Sequence, residues 1–424
     1  MTGWSVTVRY LTLVMLCAVF AAGARGAAGD LDPSFGVDPV LGPGPYGPGI
    51  FVSDRTEIRE YGRGLALQSD GKILFTFGSS WVQRLLAAGI PDAAFGTNGA
   101  QGLGGVVDVA VDAGDDIFAI GSVFSFPDYR YHGYIARLSA SGSNMLEMES
   151  GTSHEFQRLA IAPDGQLVIG GMLHRRKPRL TVQRYSSDGA PDFEFGRRGT
   201  GSITRLGTLL NGGTGAVLVA ADGGILSVGN GWDPRAITDG ACDFVVTRHT
   251  AEGRSDRSFA ARGVVATDAG LRDVAWDAAL QPDGKIVVAG TTGGWPAEDQ
   301  FVVLRYLPDG QLDAGFGSGG LVVTDFGGEA EAYAVAIQSD GKIVAAGEAD
   351  ESIALARYLA DGTLDSDFGT GGLVHTELPL GNSAEALQMV IQPDGRIVVG
   401  GLACRDPAPG PACYYGIVAR YLAE

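Results

Sequence analysis

The chain has 424 residues, of which 66 are glycine and 45% are hydrophobic, and its formal net charge is −18. The hydrophobic content is too high for a disordered chain, and abundant glycine suits many short strands joined by tight turns. The acidic balance argues against nucleic acid and anionic membranes as partners, because both attract basic surfaces.

The first element along the chain is a predicted secretory signal over residues 1–26. Arg9 precedes an apolar run over residues 10–22, and small residues follow it. Charge, apolar core and small-residue exit are typical of an export signal, and the run is too short to span a bilayer comfortably. We expect cleavage within residues 24–27, and we find no later segment that is long and apolar enough to cross a membrane.

Two motifs then alternate, and the first is an Asp-Gly turn between apolar strands. Clear copies are LQPDGKIVVAG at residues 280–290 and IQPDGRIVVGG at 391–401, and a worn copy lies at 111–121. This pattern predicts a hairpin, because glycine accepts a positive φ. Six turn aspartates are expected to bond local backbone rather than a metal ion: Asp70, Asp164, Asp222, Asp283, Asp340 and Asp394.

The second motif is an apolar strand that ends in arginine, followed by a turn and Asp-x-x-Phe-Gly. The arginine recurs in seven repeats, at 84, 137, 184, 248, 305, 357 and 420. In five of them an aspartate follows eight residues later and a phenylalanine three residues after that, whereas the second repeat carries Met145 and Met148 there. We expect an ion pair or carbonyl contacts within each repeat; an anion-binding ring of arginines is the alternative.

Each repeat therefore predicts four strands, which in the sixth repeat are residues 333–338, 342–348, 353–359 and 373–376. Four-stranded sheets bury both faces when they pack radially around an axis. The chain stops in the middle of a repeat, and the missing half, LDPSFG, lies at residues 31–36. We predict one all-β domain over residues 27–424: a seven-bladed β-propeller with four-stranded antiparallel blades, whose ring is closed by an N-terminal strand joining the C-terminal blade.

The alternation of QPDGKIVVAG, LRYLPDG and LDAGFGSGG resembles the bacterial delta-60 repeat, a β-propeller repeat of exported proteins. The resemblance covers residues 31–424, and the second and fourth units are the most divergent. It implies an exported protein that resides in the periplasm, at the cell surface or outside the cell. It carries over no catalytic residues.

The loops between the second and third strands differ from blade to blade and share one face of the predicted ring, which we call the variable-loop face. Binding residues are usually placed on such loops, and aromatic rings with polar neighbours suit a protein or glycan ligand. The alternative is that the loops are tolerated insertions. The candidate binding residues are Phe124, Tyr129, Tyr131, His132, Arg175, Arg176, Trp232, Asp233, Trp295, Asp299 and Tyr414.

Three cysteines follow the predicted signal. We predict a disulfide between Cys404 and Cys413, which flank a proline-rich loop in an exported chain, and an unreactive thiol at Cys242. The five histidines show no zinc-binding spacing, and we find no phosphate loop or nucleophile elbow. No cofactor is predicted, with calcium left open.

These observations favour a monomeric, non-enzymatic binding or scaffold protein. The alternative is a propeller enzyme, either a quinoprotein-type dehydrogenase or a lyase, with acid, base and ligand groups near the axis. Few histidines and no acidic cluster outside the repeat weigh against an enzyme. Convergence of His132, Arg175, Asp233, Trp295 and Asp299 in one pocket would favour it. A purely structural surface component is a third reading.

Overall fold

A computed structural model describes residues 26–38, 42–43, 47–57, 62–78, 80–125, 130–150, 154–173, 179–196, 202–203, 213–232, 242–270, 272–294, 297–378, 383–405 and 413–424. These ranges form seven four-stranded antiparallel sheets and one two-stranded hairpin. In this part of the chain we find no helix with the length and apolar character needed to cross a membrane.

The strands follow one another in chain order. Before the first blade lie β1 (Val37–Asp38), β2 (Gly42–Pro43) and β3 (Ile50–Glu57). Blade 1 contains β4 (Leu65–Leu67), β5 (Ile73–Phe77), β6 (Trp81–Leu85) and β7 (Ala100–Gly102). Blade 2 contains β8 (Val106–Val111), β9 (Ile117–Ser125), β10 (Arg130–Leu138) and β11 (Asn144–Glu149). Blade 3 contains β12 (His154–Ile161), β13 (Leu167–Leu173), β14 (Arg179–Tyr185) and β15 (Ser202–Ile203). Blade 4 contains β16 (Thr214–Val219), β17 (Ile225–Trp232), β18 (Cys242–His249) and β19 (Val264–Thr267). Blade 5 contains β20 (Arg272–Leu280), β21 (Ile286–Gly294), β22 (Ala297–Tyr306) and β23 (Leu321–Thr324). Blade 6 contains β24 (Ala330–Ile337), β25 (Ile343–Ala349), β26 (Ser352–Tyr358) and β27 (Leu373–Thr376). Blade 7 contains β28 (Ser383–Ile391), β29 (Ile397–Arg405) and β30 (Cys413–Tyr421), with β3 as its fourth strand.

The seven sheets close into a ring. The first strand of each blade packs against the first strand of the next, and β28 of blade 7 packs against β4 of blade 1. Apolar side chains fill the space between neighbouring sheets. This arrangement buries both faces of every blade and confirms the predicted seven-bladed propeller.

The N-terminal segment completes the last blade. Ile50, Phe51 and Val52 of β3 pair with Ala419, Val418 and Ile417 of β30, and the sheet order is β28, β29, β30, β3. The predicted closure of the ring by the two chain ends is therefore confirmed. It leaves β30 paired on both sides, so that the third strand of the last blade is not an open edge.

The repeated arginine joins neighbouring blades, as Arg305 shows. Its Nε donates to Asp313 Oδ2 at 2.8 Å, its Nη1 donates to the carbonyl of Ala360 in blade 6 at 2.5 Å, and its guanidinium lies 4.5 Å from the ring centre of Phe316. All seven arginines donate to a carbonyl of the next blade, the acceptors being Ala140, Ser187, Ala251, Pro308, Ala360, Ala423 and Ala87. The expected ion pairs and carbonyl contacts are confirmed, but the carbonyl belongs to the following blade.

Two blades obtain the partners of this arginine from elsewhere in the chain. Arg420 in blade 7 pairs with Asp32 at 2.9 Å and stacks on Phe35, both from the N-terminal segment. Arg137 in blade 2 pairs instead with Asp116 at 2.6 Å and lies 5.4 Å from the ring of Phe118. The loss of the usual aspartate and phenylalanine in the second repeat is thus compensated by two residues at the start of its second strand.

The turn aspartates hold the hairpins, as the sequence predicts. In each, Oδ1 accepts the backbone N–H two residues further on, at 2.9 to 3.2 Å. The glycine that follows has a positive φ, for example +86° at Gly341. These carboxylates are therefore part of the turn structure.

Candidate ligand-binding site at the channel mouth

A β-bulge interrupts the innermost strand of blades 2 to 7 at the same place. A bulge inserts one residue and re-aims its side chain. The inserted residues are Val107, Gln157, Gly215, Trp276, Tyr333 and Leu387. Arg63 occupies the corresponding place in blade 1, because it precedes the turn aspartate by the same seven residues as Trp276, Tyr333 and Leu387 do in their repeats.

The large members of this set meet across the axis. Trp276 and Tyr333 contact edge to face with 5.4 Å between ring centres, and the guanidinium of Arg63 lies 4.4 Å from the centre of the Trp276 ring. Tyr333 and Leu387 belong to one apolar cluster against which Trp276 packs, and that cluster includes residues of blade 1. Because blades 1 and 5 are not neighbours, the contact between Arg63 and Trp276 crosses the axis of the ring. We call Arg63, Trp276, Tyr333 and Leu387 the channel floor.

Three half-buried glutamates lie beside the channel floor, towards the variable-loop face. Glu331 and Glu348 are directly opposite each other on β24 and β25. Glu385 lies on β28, two residues before the bulge, as Glu331 does on β24. Like charges directly opposite each other on one sheet face repel. We call these three residues the glutamate cluster.

The pKa values of all three glutamates in the cluster are raised. Burial and the charges of neighbouring glutamates raise the pKa of Glu348 to about 7. Burial and the charge of Glu348 also raise the pKa of Glu385 to about 7, although Arg63 opposes the shift. Burial and the charge of Asp299 raise the pKa of Glu331, against the effect of the Tyr333 hydroxyl. The cluster can therefore donate or accept hydrogen bonds near pH 7.

Asp299 extends the site towards blade 5. Its Oδ2 accepts a hydrogen bond from Arg272 at 3.2 Å, and its side chain is only 12% exposed. The Asp299 side chain also hydrogen-bonds with the carboxyl group of Glu331, which contributes to the raised pKa of Glu331. Asp299 is the predicted binding residue that the structure brings together with the glutamate cluster.

Phe124 and Tyr131 form a second aromatic surface on blade 2. They lie opposite each other on β9 and β10, their ring centres are 5.1 Å apart, and they are 40% and 39% exposed. Nδ1 of the neighbouring His132 lies 3.2 Å from the carbonyl oxygen of Ser150. These three predicted residues sit where the strands approach the variable-loop face.

Of the remaining predicted binding residues, the structure describes Trp232 and Tyr414 through the pairing of their strands. Trp232 is paired with Cys242 and Tyr414 with Cys404 in the strand register. Of the five residues whose convergence would favour an enzyme, the structure describes His132 in blade 2 and Asp299 in blade 5. Five predicted binding residues fall outside the described residues: Tyr129, Arg175, Arg176, Asp233 and Trp295.

The cysteines are placed as follows. Cys413 is opposite Arg405 in the strand register, one position away from Cys404, and the disulfide between Cys404 and Cys413 stays a prediction. Cys242 is half-buried, and burial raises the pKa of its thiol. A raised pKa lowers the thiolate fraction, which agrees with an unreactive thiol.

Sequence reasoning missed the channel floor and the glutamate cluster. A signal existed in the repeat alignment, since Trp276 and Tyr333 hold the column seven residues before the turn aspartate, where Gly215 stands in the fourth repeat. The sequence analysis found no acidic cluster outside the repeat and did not foresee that these three glutamates lie near one another. Glu331, Glu348 and Glu385 come from three strands of two blades, so that only the assembled ring unites them.

One further carboxylate group bears on the open question of calcium. Oxygens of Asp243, Asp268 and Asp273 lie within 4.8 Å of one another, and no other acidic group does so in the ranges described. Asp273 is buried and already accepts hydrogen bonds from Thr292 Oγ1 at 2.6 Å and from the backbone N–H of Ala269 at 2.7 Å. Calcium binding stays a prediction.

Comparison with known proteins agrees with a propeller repeat. A family model described as a domain of unknown function (DUF5122) β-propeller matches residues 281–316 and 338–368, in blades 5 and 6. No curated protein matches the chain.

Solved structures resemble the chain remotely. A protein of unknown function from Dyadobacter fermentans is 14% identical, with 88% of this chain and 100% of that chain covered and a TM-score of 0.43. The polysaccharide lyase Uly1 is 10% identical, with 86% and 91% covered and a TM-score of 0.49. The WD40 β-propeller domain of Doa1 is 12% identical, with 89% and 98% covered and a TM-score of 0.45.

Proposed function

We propose that this chain is an exported, non-enzymatic binding propeller of the delta-60 type, which holds a glycan at the mouth of its central channel. The observation that carries the proposal is the meeting of Trp276 and Tyr333 beneath the glutamate cluster. Aromatic rings stack on the apolar faces of sugars, and carboxylates accept hydrogen bonds from sugar hydroxyls. The site therefore combines both kinds of contact in one place.

A glycan suits this site better than a large protein surface does. The channel floor is recessed within the ring, and Tyr333 and Leu387 are almost fully buried. A narrow chain such as an oligosaccharide enters such a mouth, whereas a broad protein face contacts the surrounding loops. The exposed pair Phe124 and Tyr131 offers a second stacking surface to a longer glycan.

A lyase-type or other acid–base enzyme is the second candidate. The pKa of about 7 at both Glu348 and Glu385 favours it, because general acids and bases work best near the ambient pH. Arg63 would supply a positive charge beside them. This candidate predicts that a bound glycan is cleaved.

The test uses the chain from residue 27 onward on a glycan array, followed by calorimetry on the hits. The Trp276→Ala variant should lose at least ten-fold in affinity, with its melting temperature measured alongside. The matched control is Phe193→Ala, which removes an aromatic ring that is 69% exposed on the opposite face of the ring of blades. Unchanged binding by Trp276→Ala, or no glycan binding by the wild type, would contradict the proposal. Chromatography of each bound glycan after incubation distinguishes binding from cleavage.

A further inference from the structure

We propose that the exported chain is cut between Gly26 and Ala27, and that Asp30 then binds the new α-ammonium group of Ala27. This inference rests on the export that is part of the proposed function. It adds a processing site and names the residue that receives the product. The sequence leaves open the bonds after Ala24, Gly26 and Ala27, and the structure separates them.

The chain is anchored to the propeller from Ala28 onward. Ala28 is 8% exposed and belongs to the apolar cluster between blades 6 and 7. Its carbonyl accepts a hydrogen bond from the N–H of Gly369 in blade 6 at 2.8 Å, and the N–H of Gly29 donates to the carbonyl of Leu422 at 2.9 Å. The mature chain must therefore contain Ala28 to close the ring in this way.

A cut after Ala27 fits the structure poorly. It would place the new ammonium group on Ala28, and a charge taken into an apolar cluster is costly unless it is paired. It would also put Arg25 at the third position before the cut, where an export signal carries a small residue.

The bond between Gly26 and Ala27 avoids both problems. Gly26 and Ala24 occupy the first and third positions before this bond, and both residues are small. Ala27 is exposed, so an ammonium group on it stays in contact with water. Hydrolysis adds one water molecule across the peptide bond and leaves a carboxylate on Gly26 and an ammonium group on Ala27.

Asp30 is placed to receive this ammonium group. Its Oδ2 accepts a hydrogen bond from the backbone nitrogen of Ala27 at 2.7 Å, and its N–H donates to the carbonyl of Ala27 at 3.0 Å. Blade 7 holds this turn in place, because the N–H of Leu422 donates to the carbonyl of Asp30 at 2.9 Å. In the uncut chain the nitrogen is a neutral amide. The cut gives the same contact a positive charge, which strengthens the hydrogen bond.

A cut after Ala24 is the remaining alternative. Ala22 and Ala24 are both small, so the sequence allows it. Its product would start at Arg25, and the ammonium group would lie two residues away from the nitrogen that Asp30 contacts. The geometry of Asp30 therefore favours the product that starts at Ala27.

The first test determines the N-terminus of the exported protein. Residues 1–424 are expressed in a bacterium, and the protein outside the cytoplasm is analysed by intact mass and N-terminal sequencing. The expected first residue is Ala27. A start at any other residue would overturn the inference and leave the proposed export intact. An uncut chain that stays in the cytoplasm would reject the export itself.

Two matched variants test which bond is cut. Gly26→Leu puts a large residue directly before the proposed bond and should abolish the product that starts at Ala27. Ala27→Leu adds the same side chain at the next, exposed position and should be cut at the same bond as the wild type. Equal processing of the two variants would overturn the inference.

The second test measures the ion pair in a purified chain that starts at Ala27. The charge that faces the α-ammonium group comes from Asp30, and the side chain that packs against Gly26, Leu422, is apolar. In an NMR titration with isotope-labelled alanine, the pKa of this group should be about half a unit higher in the wild type than in Asp30→Asn. The control Glu377→Gln alters an exposed glutamate and should keep the wild-type value. Equal pKa values in the wild type and Asp30→Asn would overturn the role of Asp30.

Discussion

Replacing Arg305 by alanine removes three contacts at once. The side chains of Arg305 and Asp313 are 5% and 11% exposed, so their ion pair is shielded from water. The change leaves the Asp313 carboxylate without its bond from Nε and the Ala360 carbonyl of blade 6 without its bond from Nη1. It also uncovers the ring of Phe316.

The expected cost follows from these contacts. Breaking a buried ion pair by removing one partner costs about 3–5 kcal/mol. The lower end applies here, because Lys285 Nζ remains 3.3 Å from Asp313 Oδ2 and the backbone N–H of Gly315 still donates to Oδ1 at 3.0 Å. About 3 kcal/mol corresponds to a melting temperature lower by about 4 °C in a domain of about 400 residues, given the usual unfolding entropy per residue.

Differential scanning calorimetry measures the effect, and Arg137→Ala is the matched comparison. The pair between Arg137 and Asp116 is 25% and 21% exposed, so its loss should cost about 1 kcal/mol. Arg305→Lys keeps the charge but loses the fork that reaches two acceptors, and it should fall between the two. An unchanged melting temperature in Arg305→Ala would refute the role of this arginine in joining the blades, and an equal loss in Arg137→Ala would show that burial of the ion pair does not set the cost.

Three further predictions concern the ring, its acids and its glycines. Deleting residues 31–52 removes β3 and the Asp32 partner of Arg420, so we expect aggregation on size-exclusion chromatography; a monomer with wild-type stability would argue against closure by this segment. Burial raises the pKa of Asp108 to about 6, and burial with the charge of Glu348 raises that of Glu385 to about 7, so the folded state binds these protons more tightly than the unfolded state does. Their contribution to stability is present below about pH 4 and is lost as the pH rises through 6 to 7, so the melting temperature should fall from pH 5 to pH 8 and fall less in Glu385→Gln; a rise over that interval would contradict the assignment. An added Cβ at Gly347 would lie 1.9 Å from the backbone oxygen of Glu331, whereas at Gly341 it would meet nothing within 4 Å. Gly341→Ala should therefore cost about 1 kcal/mol of backbone strain and Gly347→Ala several times more in chemical denaturation, and equal costs would show that the close approach is unimportant.

The sequence predicted the contacts that recur from repeat to repeat. Arg305, Asp313 and Phe316 stand at fixed spacings within one repeat, so their association follows from local geometry. The same pattern split between the two chain ends, with Arg420 at one and Asp32 with Phe35 at the other, predicted the closure of the ring. The sequence did not predict the acceptor of the second guanidinium hydrogen bond. This acceptor is a carbonyl of the next blade, and its position depends on how neighbouring sheets pack.

The sequence by itself determined the number of blades, their turns and the strand that closes the ring, because each of these follows from a repeated local pattern. The tertiary structure alone decided the candidate site. Trp276 and Arg63 belong to blades that are not neighbours, and they meet across the axis of the ring, Trp276 from the bulge of its strand. Glu348 and Glu385 are likewise ordinary strand residues in the sequence. The charge of Glu348 raises the pKa of Glu385 because the sheets of blades 6 and 7 pack side by side. These contacts depend on the assembled ring, and the spacing of the residues along the chain does not predict them.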